Sequence, residues 1–262
     1  MMSCVGWVAA AVAVVAAVLA VALWTAPRWA VPALASRSPE VVYAVPTAER
    51  IVALTIDDGP DSATTDEILA VLREHGSRAT FFLISERVAG LEPVVARLAS
   101  EGHEVGNHLT RDEPSARLGA ARFDAALVRA HDVLSGFGPL RWARPGGGRY
   151  DAAMLQTMGR RGYRCALGSV YPYDATVPSA TFAAAFVLHH ARPGAVIVLH
   201  DGGGRGRRTA AALRRVLPEL RRRGYRVTTL SELVGVGSGG DEGGRGRSGE
   251  KRRAGDSNPQ GP

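Results

Sequence analysis

The sequence predicts an α/β fold, a parallel sheet or barrel with helices packed on it, and three features carry that expectation. Short apolar runs suited to strands alternate with amphipathic stretches suited to helices between residues 51 and 230, a pattern that favours β/α units over a sandwich. Two of the apolar runs, 51–56 and 195–199, stop abruptly at Asp57-Asp58 and at His200-Asp201, at the strand end where α/β folds place their chemistry. The alternating part has room for one domain of roughly 180–200 residues around a single core.

The chain opens with 5–24, rich in alanine, valine and leucine and without a charged residue. At about 1.5 Å per residue such a run matches the hydrocarbon core of a bilayer, so 1–36 is expected to be a membrane anchor or a signal segment. Ala33-Leu34-Ala35 has the small-x-small form of a signal peptidase site, but the run lacks a basic n-region and the gap beyond Trp24 is long, which favours an uncleaved anchor. Arg28 and Arg37 flank the run on its C-terminal side, and two arginines leave the orientation open. Residues 37–50, with Pro39 and Pro46, are expected to be an extended linker.

The domain expected over 51–234 begins with strand 51–56, stopped by Gly59-Pro60. Helix 62–76 follows, with Ile68, Leu69, Val71 and Leu72 at helical spacing and a glycine at its end. Next come strand 79–84, helix 93–102 with Val94, Val95 and Leu98 inward, and a short strand at 104–106. Helix 120–134, strand 141–143, helix 152–162 and strand 163–167 continue the alternation. Helix 179–191, strand 195–199, an arginine-rich helix over 209–223 and strand 226–230 complete it. Residues 235–262 hold glycine, serine, arginine and acid with almost nothing apolar to bury, and are expected to be disordered.

The chain carries 32 basic and 25 acidic side chains, a net charge of +7, and its tail is nearly balanced. The folded part is therefore basic, which suits an anionic envelope polymer or lipid surface. No nucleic-acid motif accompanies the charge, so no nucleic-acid partner is expected. Cys4 and Cys165, one in the hydrophobic run and one in a strand, imply neither a disulfide framework nor a thiolate metal site.

Several residues could carry chemistry. Strand alternation sends Asp57 and Asp58 in different directions, so one can face a metal while the other faces substrate; by themselves they equally start a turn. His108 and Asp112 stand four apart, and if 109–112 form a helical turn they share a face and can bind one ion; a pair at this spacing is also an ordinary exposed contact. His200, at the end of an apolar strand, is the histidine best placed to transfer a proton. Arg144, before Pro145-Gly146-Gly147-Gly148, can pair with a buried aspartate, and the glycines let backbone N–H groups approach an oxyanion. Asp174, in Tyr171-Pro172-Tyr173-Asp174, can orient a histidine as in a triad. His75, His103, His131 and His189-His190 do not end strands and read as structural or surface groups.

Taken in order, the motifs TIDDGP, GNHLTRD, ARPGGG, YPYD and VIVLHD resemble those of the polysaccharide deacetylases of carbohydrate esterase family 4, with their NodB-homology domain. The resemblance runs from about residue 51 to 233 and implies a distorted (β/α) barrel. It implies Asp57 as general base, Asp58, His108 and Asp112 as ligands of one divalent metal ion, and Arg144 as the residue holding Asp57. It further implies Asp174 as the partner of the catalytic histidine and His200 as general acid, with Pro145 and Gly146 beside the substrate.

Three positions depart from the family's pattern. Asp112 replaces the second histidine of His-x-x-x-His, a harder ligand that admits divalent ions other than zinc. Gly146-Gly147 replaces a proline and an aromatic, and Ala175 replaces the tryptophan after the fourth motif's aspartate.

The implied activity is metal-dependent removal of N-acetyl groups from an N-acetylglucosamine-containing glycan at the cell envelope, by a membrane-anchored or secreted enzyme. The expected partners are the acetylated glycan and the membrane, with no obligate protein partner. A membrane-tethered glycan-binding protein without turnover and an O-acetyl esterase using the same site are the alternatives. Retention of both Asp57 and His200 argues against a pure binder, which needs neither.

Overall fold

The computed structural model describes residues 4–242. Its strands are β1 (Val41–Val42), β2 (Ile51–Gly59), β3 (Thr80–Leu83), β4 (Glu104–Asn107), β5 (Trp142–Ala143), β6 (Arg164–Ala166), β7 (Val196–His200) and β8 (Arg226–Thr228). Its helices are α1 (Cys4–Arg37), α2 (Thr65–Glu74), α3 (Glu92–Ser100), α4 (Ala120–Leu134), α5 (Ala152–Arg160), α6 (Ala180–His190), α7 (Gly203–Arg222) and α8 (Leu230–Glu242).

The strands run parallel in the order β1-β6-β5-β4-β3-β2-β7, with β8 also paired to β2. The two ends of this sheet approach each other. Ala44 bridges Ala195, and Val170, just beyond β6, bridges Ile197 in β7. The sheet thus curls into the distorted (β/α) barrel that the alternation and the motif resemblance implied. β2 is buried over its whole length, which is why it reads as one continuous apolar run rather than an alternating one. On its outside Ile68, Leu69 and Leu72 of α2 and Leu213, Val216 and Leu220 of α7 fill the largest core cluster.

Four expectations need correction. Residues 37–50, expected to be an extended linker, instead contribute an edge strand to the sheet: Val41 and Val42 pair with Cys165 and Ala166 of β6 and both are buried. Two β-branched residues suffice for a short edge strand, and Pro39 and Pro46 lie outside it. The arginine-rich helix starts at Gly203 instead of 209, because Gly202 and Gly203 take positive φ of 91° and 50° and turn the chain straight off β7. Leu230 opens helix α8 where a strand end was expected, and that helix reaches Glu242, into the supposed disordered tail. Val234 and Val236 pack there against a cluster containing Val42, Ile51 and Trp142. The rest of the expected tail, 243–262, lies outside the described residues.

The apolar N-terminal segment is helical and continues past Trp24 to Arg37. Trp24 meets Phe182 and Phe186 of α6 edge-on, with ring centroids 5.8 and 5.2 Å apart, and Tyr173 donates its hydroxyl proton to the Leu23 carbonyl at 2.9 Å. Among the described residues no single helix is long and apolar enough to cross a membrane. One pair, Val12–Ala26 and Arg28–Arg37, bent by 54°, has the length and composition of a broken span.

Candidate active site

The carboxyl ends of β2, β4 and β7 and the loop after β5 meet at a cleft of about 330 Å³ whose walls include Asp57, Asp58, His108, Arg144, His200 and Arg205. Asp57 is anchored from inside the barrel. Arg144, just past β5, donates from Nη1 to Asp57 Oδ1 at 2.5 Å and to Thr55 Oγ1 at 2.9 Å, and from Nε to the Ala166 carbonyl at 2.8 Å. Both partners are almost fully buried, so breaking the pair strands a charge in a poor solvent. The guanidinium also lies over the Phe82 ring, 4.0 Å from its centroid. That contact explains Gly106 at the head of the Gly106-Asn107-His108 motif: a Cβ there would come within 2.7 Å of the Phe82 ring. Glycine lets Phe82 in, Phe82 supports Arg144, and Arg144 fixes Asp57.

His200 ends β7 in register with Asp57 of β2, so the two side chains emerge from neighbouring strands, about 4.8 Å apart. Its Nδ1 donates to the Asp174 carboxylate at 3.0 Å, which leaves Nε2 for the cleft. Asp174 is buried and also accepts the His200 backbone N–H at 2.9 Å. Burial alone would lower the imidazole's pKa; the Asp174 hydrogen bond and charge, with Asp57 and Asp58 behind them, outweigh it and raise it to about 9.

Of the three residues expected to hold a metal, Asp58 and His108 lie side by side in the cleft. Asp58 takes a positive φ of 67° at a break in the β2–β3 register, which swings its side chain away from that of Asp57. Its Oδ1 lies 3.3 Å from His108 Nε2. Burial pushes the Asp58 carboxyl up, but His108, His200 and Arg205 pull it down to about 2. His108 Nδ1 faces the Arg144 carbonyl at 2.7 Å and must therefore donate, which points Nε2 at the carboxylate. Burial lowers the His108 pKa, and the Asp58 hydrogen bond, Asp57, Asp58 and the Arg144 carbonyl together raise it above the ordinary value. An imidazole oriented by a backbone carbonyl beside an ionised carboxylate is donor chemistry that suits a divalent ion.

Asp112 does not join that pair. Leu109 takes φ 65°, and the N–H groups of Ser85 and Glu86 bond the carbonyls of Leu109 and Thr110, so 109–112 make no helical turn. Asp112 turns instead to Arg87, at 2.9 Å, and to Arg205, at 3.5 Å. Among the described residues no three of His, Cys, Asp and Glu converge on one point.

The glycine turn after Arg144 also differs from expectation. Pro145 and Gly146 line the cleft, but the Gly146 N–H donates to Ser115 Oγ at 2.7 Å. Gly146 is packed so tightly that a Cβ would lie 2.2 Å from the Glu113 carbonyl oxygen.

Sequence reasoning missed two groups here. Asp201 is fully buried and receives the hydroxyls of Thr64 and Thr65, each at 2.5 Å, locking the start of α2 to the end of β7. Arg87 and Arg205 bring positive charge to the carboxylates: Arg205 Nη1 lies 2.9 Å from Asp58 Oδ2, and Arg87 bonds the Asp58 carbonyl. A signal for Arg205 existed, since it follows His200-Asp201 by one short glycine turn at the same end of the sheet. The remaining histidines lie away from the cleft, as expected. His103, for example, is buried against Phe81 and accepts the Ala79 N–H, its pKa pushed down by burial and Arg78 to about 4.

Comparison with known proteins places this chain in a family. The family model for polysaccharide deacetylase matches residues 44–166. A peptidoglycan-N-acetylglucosamine deacetylase of Bacillus cereus is 35% identical over 198 residues, covering 74% of this chain and 92% of the relative. The chain belongs to the polysaccharide deacetylase family. A second member, a chitooligosaccharide deacetylase of Bradyrhizobium, is 32% identical over 73% of this chain and 94% of its own.

The deacetylase fold superposes well on solved members. The crystal structure of a peptidoglycan N-acetylglucosamine deacetylase in complex with a naphthyl-substituted N-oxidanyl-benzamide gives a TM-score of 0.70 at 30% identity, over 74% of this chain and 92% of that one. A family 4 acetyl xylan esterase of Clostridium thermocellum, solved with a cobalt ion, gives 0.66 at 28% identity over 71% and 91%.

Proposed function

We propose that this deacetylase-family hydrolase removes N-acetyl groups from a glycan containing N-acetylglucosamine, with Asp57 as base and His200 as acid. The observation that carries the reading is the register of β2 and β7, which sets Asp57 and His200 side by side at one cleft with opposite anchors, Arg144 and Asp174. An amide needs both a base for the attacking water and an acid for the departing amine, because an unprotonated amine leaves poorly.

In this mechanism Asp57, held still by Arg144, takes the proton from the water that attacks the acetyl carbonyl. His200, kept as imidazolium by Asp174, gives a proton to the amine nitrogen as the carbon–nitrogen bond breaks. Since the Gly146 amide is committed to Ser115, we assign contact with the developing oxyanion to the next amide of that turn, Gly147. Asp58 and His108 would hold a divalent ion, zinc by preference because imidazole is among its favoured ligands, and when bound it would supply positive charge to polarise water and carbonyl.

The names of the relatives support the substrate class: one acts on peptidoglycan N-acetylglucosamine, the other on chitooligosaccharides. The acetyl xylan esterase neighbour supports a second reading, hydrolysis of O-acetyl esters at the same site. We place the protein at the cell envelope, anchored through α1 or secreted. In favour of an anchor, Val12, Val15, Val18 and Val21 leave most of their apolar surface uncovered on that helix.

The test is acetate release by the full chain from acetylated chito-oligomers and from O-acetylated xylan, each with and without chelator. Release from the chito-oligomers that chelator abolishes and zinc restores is the expected result. Release from xylan alone makes the protein an esterase, and tight glycan binding with no release makes it a binder.

A further inference from the structure

Asn107 ends β4 one residue before His108, and it is fully buried. Its side-chain oxygen accepts the Leu109 N–H at 2.9 Å, so a hydrogen-bonded ring closes over His108 and fixes the backbone on both sides of that residue. Its amide nitrogen then faces acceptors, the Leu127 carbonyl of α4 at 3.0 Å and the Tyr163 hydroxyl at 3.1 Å. Having accepted from Asn107, the Tyr163 hydroxyl turns its own proton to His131 Nδ1, 2.7 Å away. The Asn107 carbonyl also receives the Arg144 N–H at 3.0 Å, and the Arg144 carbonyl in turn receives His108 Nδ1 at 2.7 Å. The imidazole is thus held twice, at its ring nitrogen and through the turn that carries its Cα.

The turn runs against the preference of its own sequence. Leu109 is buried and takes φ 65°, a left-handed conformation that leucine adopts only where something holds it. The Asn107 oxygen supplies that hold: without it the Leu109 N–H would be a buried donor with no acceptor, and the chain would relax toward an ordinary φ. Beyond the turn the Leu109 carbonyl accepts the Ser85 N–H at 3.0 Å, which docks the loop against the end of β3. We propose that Asn107 is a positioning residue for the reaction: by keeping Leu109 left-handed it aims His108 Nε2 at the Asp58 carboxylate in the cleft. Its amide nitrogen stabilises the barrel wall, and its oxygen sets the aim. The inference rests on the hydrolase reading for its rate measurement but not for its geometry.

The experiment compares the detergent-solubilised full chain with Asn107→Ala, Asn107→Asp, Leu109→Val and the double variant Asn107→Ala with Leu109→Gly. Three readouts are taken: acetate release from acetylated chito-oligomers, urea unfolding, and NMR of isotope-labelled histidine ring nitrogens, with the His108 signal identified by its loss in His108→Asn. Asn107→Ala removes acceptor and donor together; it should lower kcat at least about tenfold, hold KM within about threefold, and lose the Nδ1–H signal of His108. Asn107→Asp keeps an acceptor in place, and should be less stable yet hold kcat within about threefold of wild type with the ring signal intact. Leu109→Val, β-branched and ill suited to a positive φ, loads the same turn without touching Asn107. It should lower kcat and shift the signal likewise, and it stands in should Asn107→Ala fail to fold. Glycine takes a positive φ freely, so the double variant should recover most of the lost kcat and the ring signal. It should do so while remaining at least as unstable as Asn107→Ala, because a buried leucine is lost too. A ring signal unchanged in both Asn107→Ala and Leu109→Val overturns the proposal. So does a double variant that recovers neither signal nor rate, since Asn107 would then serve packing alone. Absence of acetate release from wild type overturns the hydrolase reading by itself, and the ring signals still decide whether Asn107 aims His108.

Discussion

Replacing Asp174 by asparagine isolates the acid half of the reaction. The substitution keeps the shape of a side chain that is only 2% exposed but removes the charge that favours the His200 imidazolium. In the intact protein that imidazole is raised from 6.5 to about 9, against the lowering effect of its burial. At about 1.36 kcal/mol for each pH unit, this corresponds to about 3 kcal/mol of preference for the protonated form.

A raised histidine pKa stabilises the fold fully below the unfolded value near 6.5, and the contribution is lost as pH rises through about 9. Asp174→Asn should therefore lower stability by up to about 3 kcal/mol at pH 6, with the difference from wild type shrinking as pH rises from about 6.5 and nearly gone above about 9. The same change moves the alkaline limb of the rate profile from near 9 toward or below neutrality, so turnover at pH 8 should fall at least about tenfold. Urea unfolding across pH 6–10, paired with acetate release over the same range, reads both effects. An alkaline limb that stays near 9 in Asp174→Asn would show that His200 is not the group being titrated, and the assignment of the acid would fail.

Three further outcomes are expected. Asp57→Asn and His200→Ala should each cost at least about 10²-fold in turnover while glycan binding, followed by fluorescence titration, stays within a few-fold. Gly106→Ala should push the Phe82 ring off Arg144 and cost about 1–3 kcal/mol in chemical denaturation, with a fall in turnover because Asp57 loses its rigid partner. Ending the chain after Leu233 removes Val234 and Val236 from their cluster, a loss of about 1–2 kcal/mol that calorimetry should register as a melting temperature lower by roughly 2–8 °C.

Local chemistry made much of this protein legible from its sequence. The strand and helix periods, the two apolar runs ending in Asp57-Asp58 and in His200-Asp201, and the motif order announced the parallel α/β fold and the members of the cleft. Such features depend on neighbours in the chain and on backbone period, so the amino-acid order alone expresses them. Edges and partners were decided elsewhere. Val41 and Val42 became a strand because β6 offered them an open edge. Val234 and Val236 extended a helix because Val42, Ile51 and Trp142 left an apolar surface to cover.

The same division runs through the site. Asp112 stands four residues from His108, yet its direction was set by Arg87 and Arg205, which are distant in sequence, and by a left-handed Leu109 that spacing does not reveal. Arg144 was expected to hold Asp57, but the reason it is rigid, a phenylalanine ring admitted by Gly106, exists only where β3, β4 and β5 lie side by side. Sequence determined which charged groups would be carried to one end of the sheet. Only the tertiary structure could decide which of them neutralise one another, because charge pairing depends on distances and burial that the folded chain alone creates.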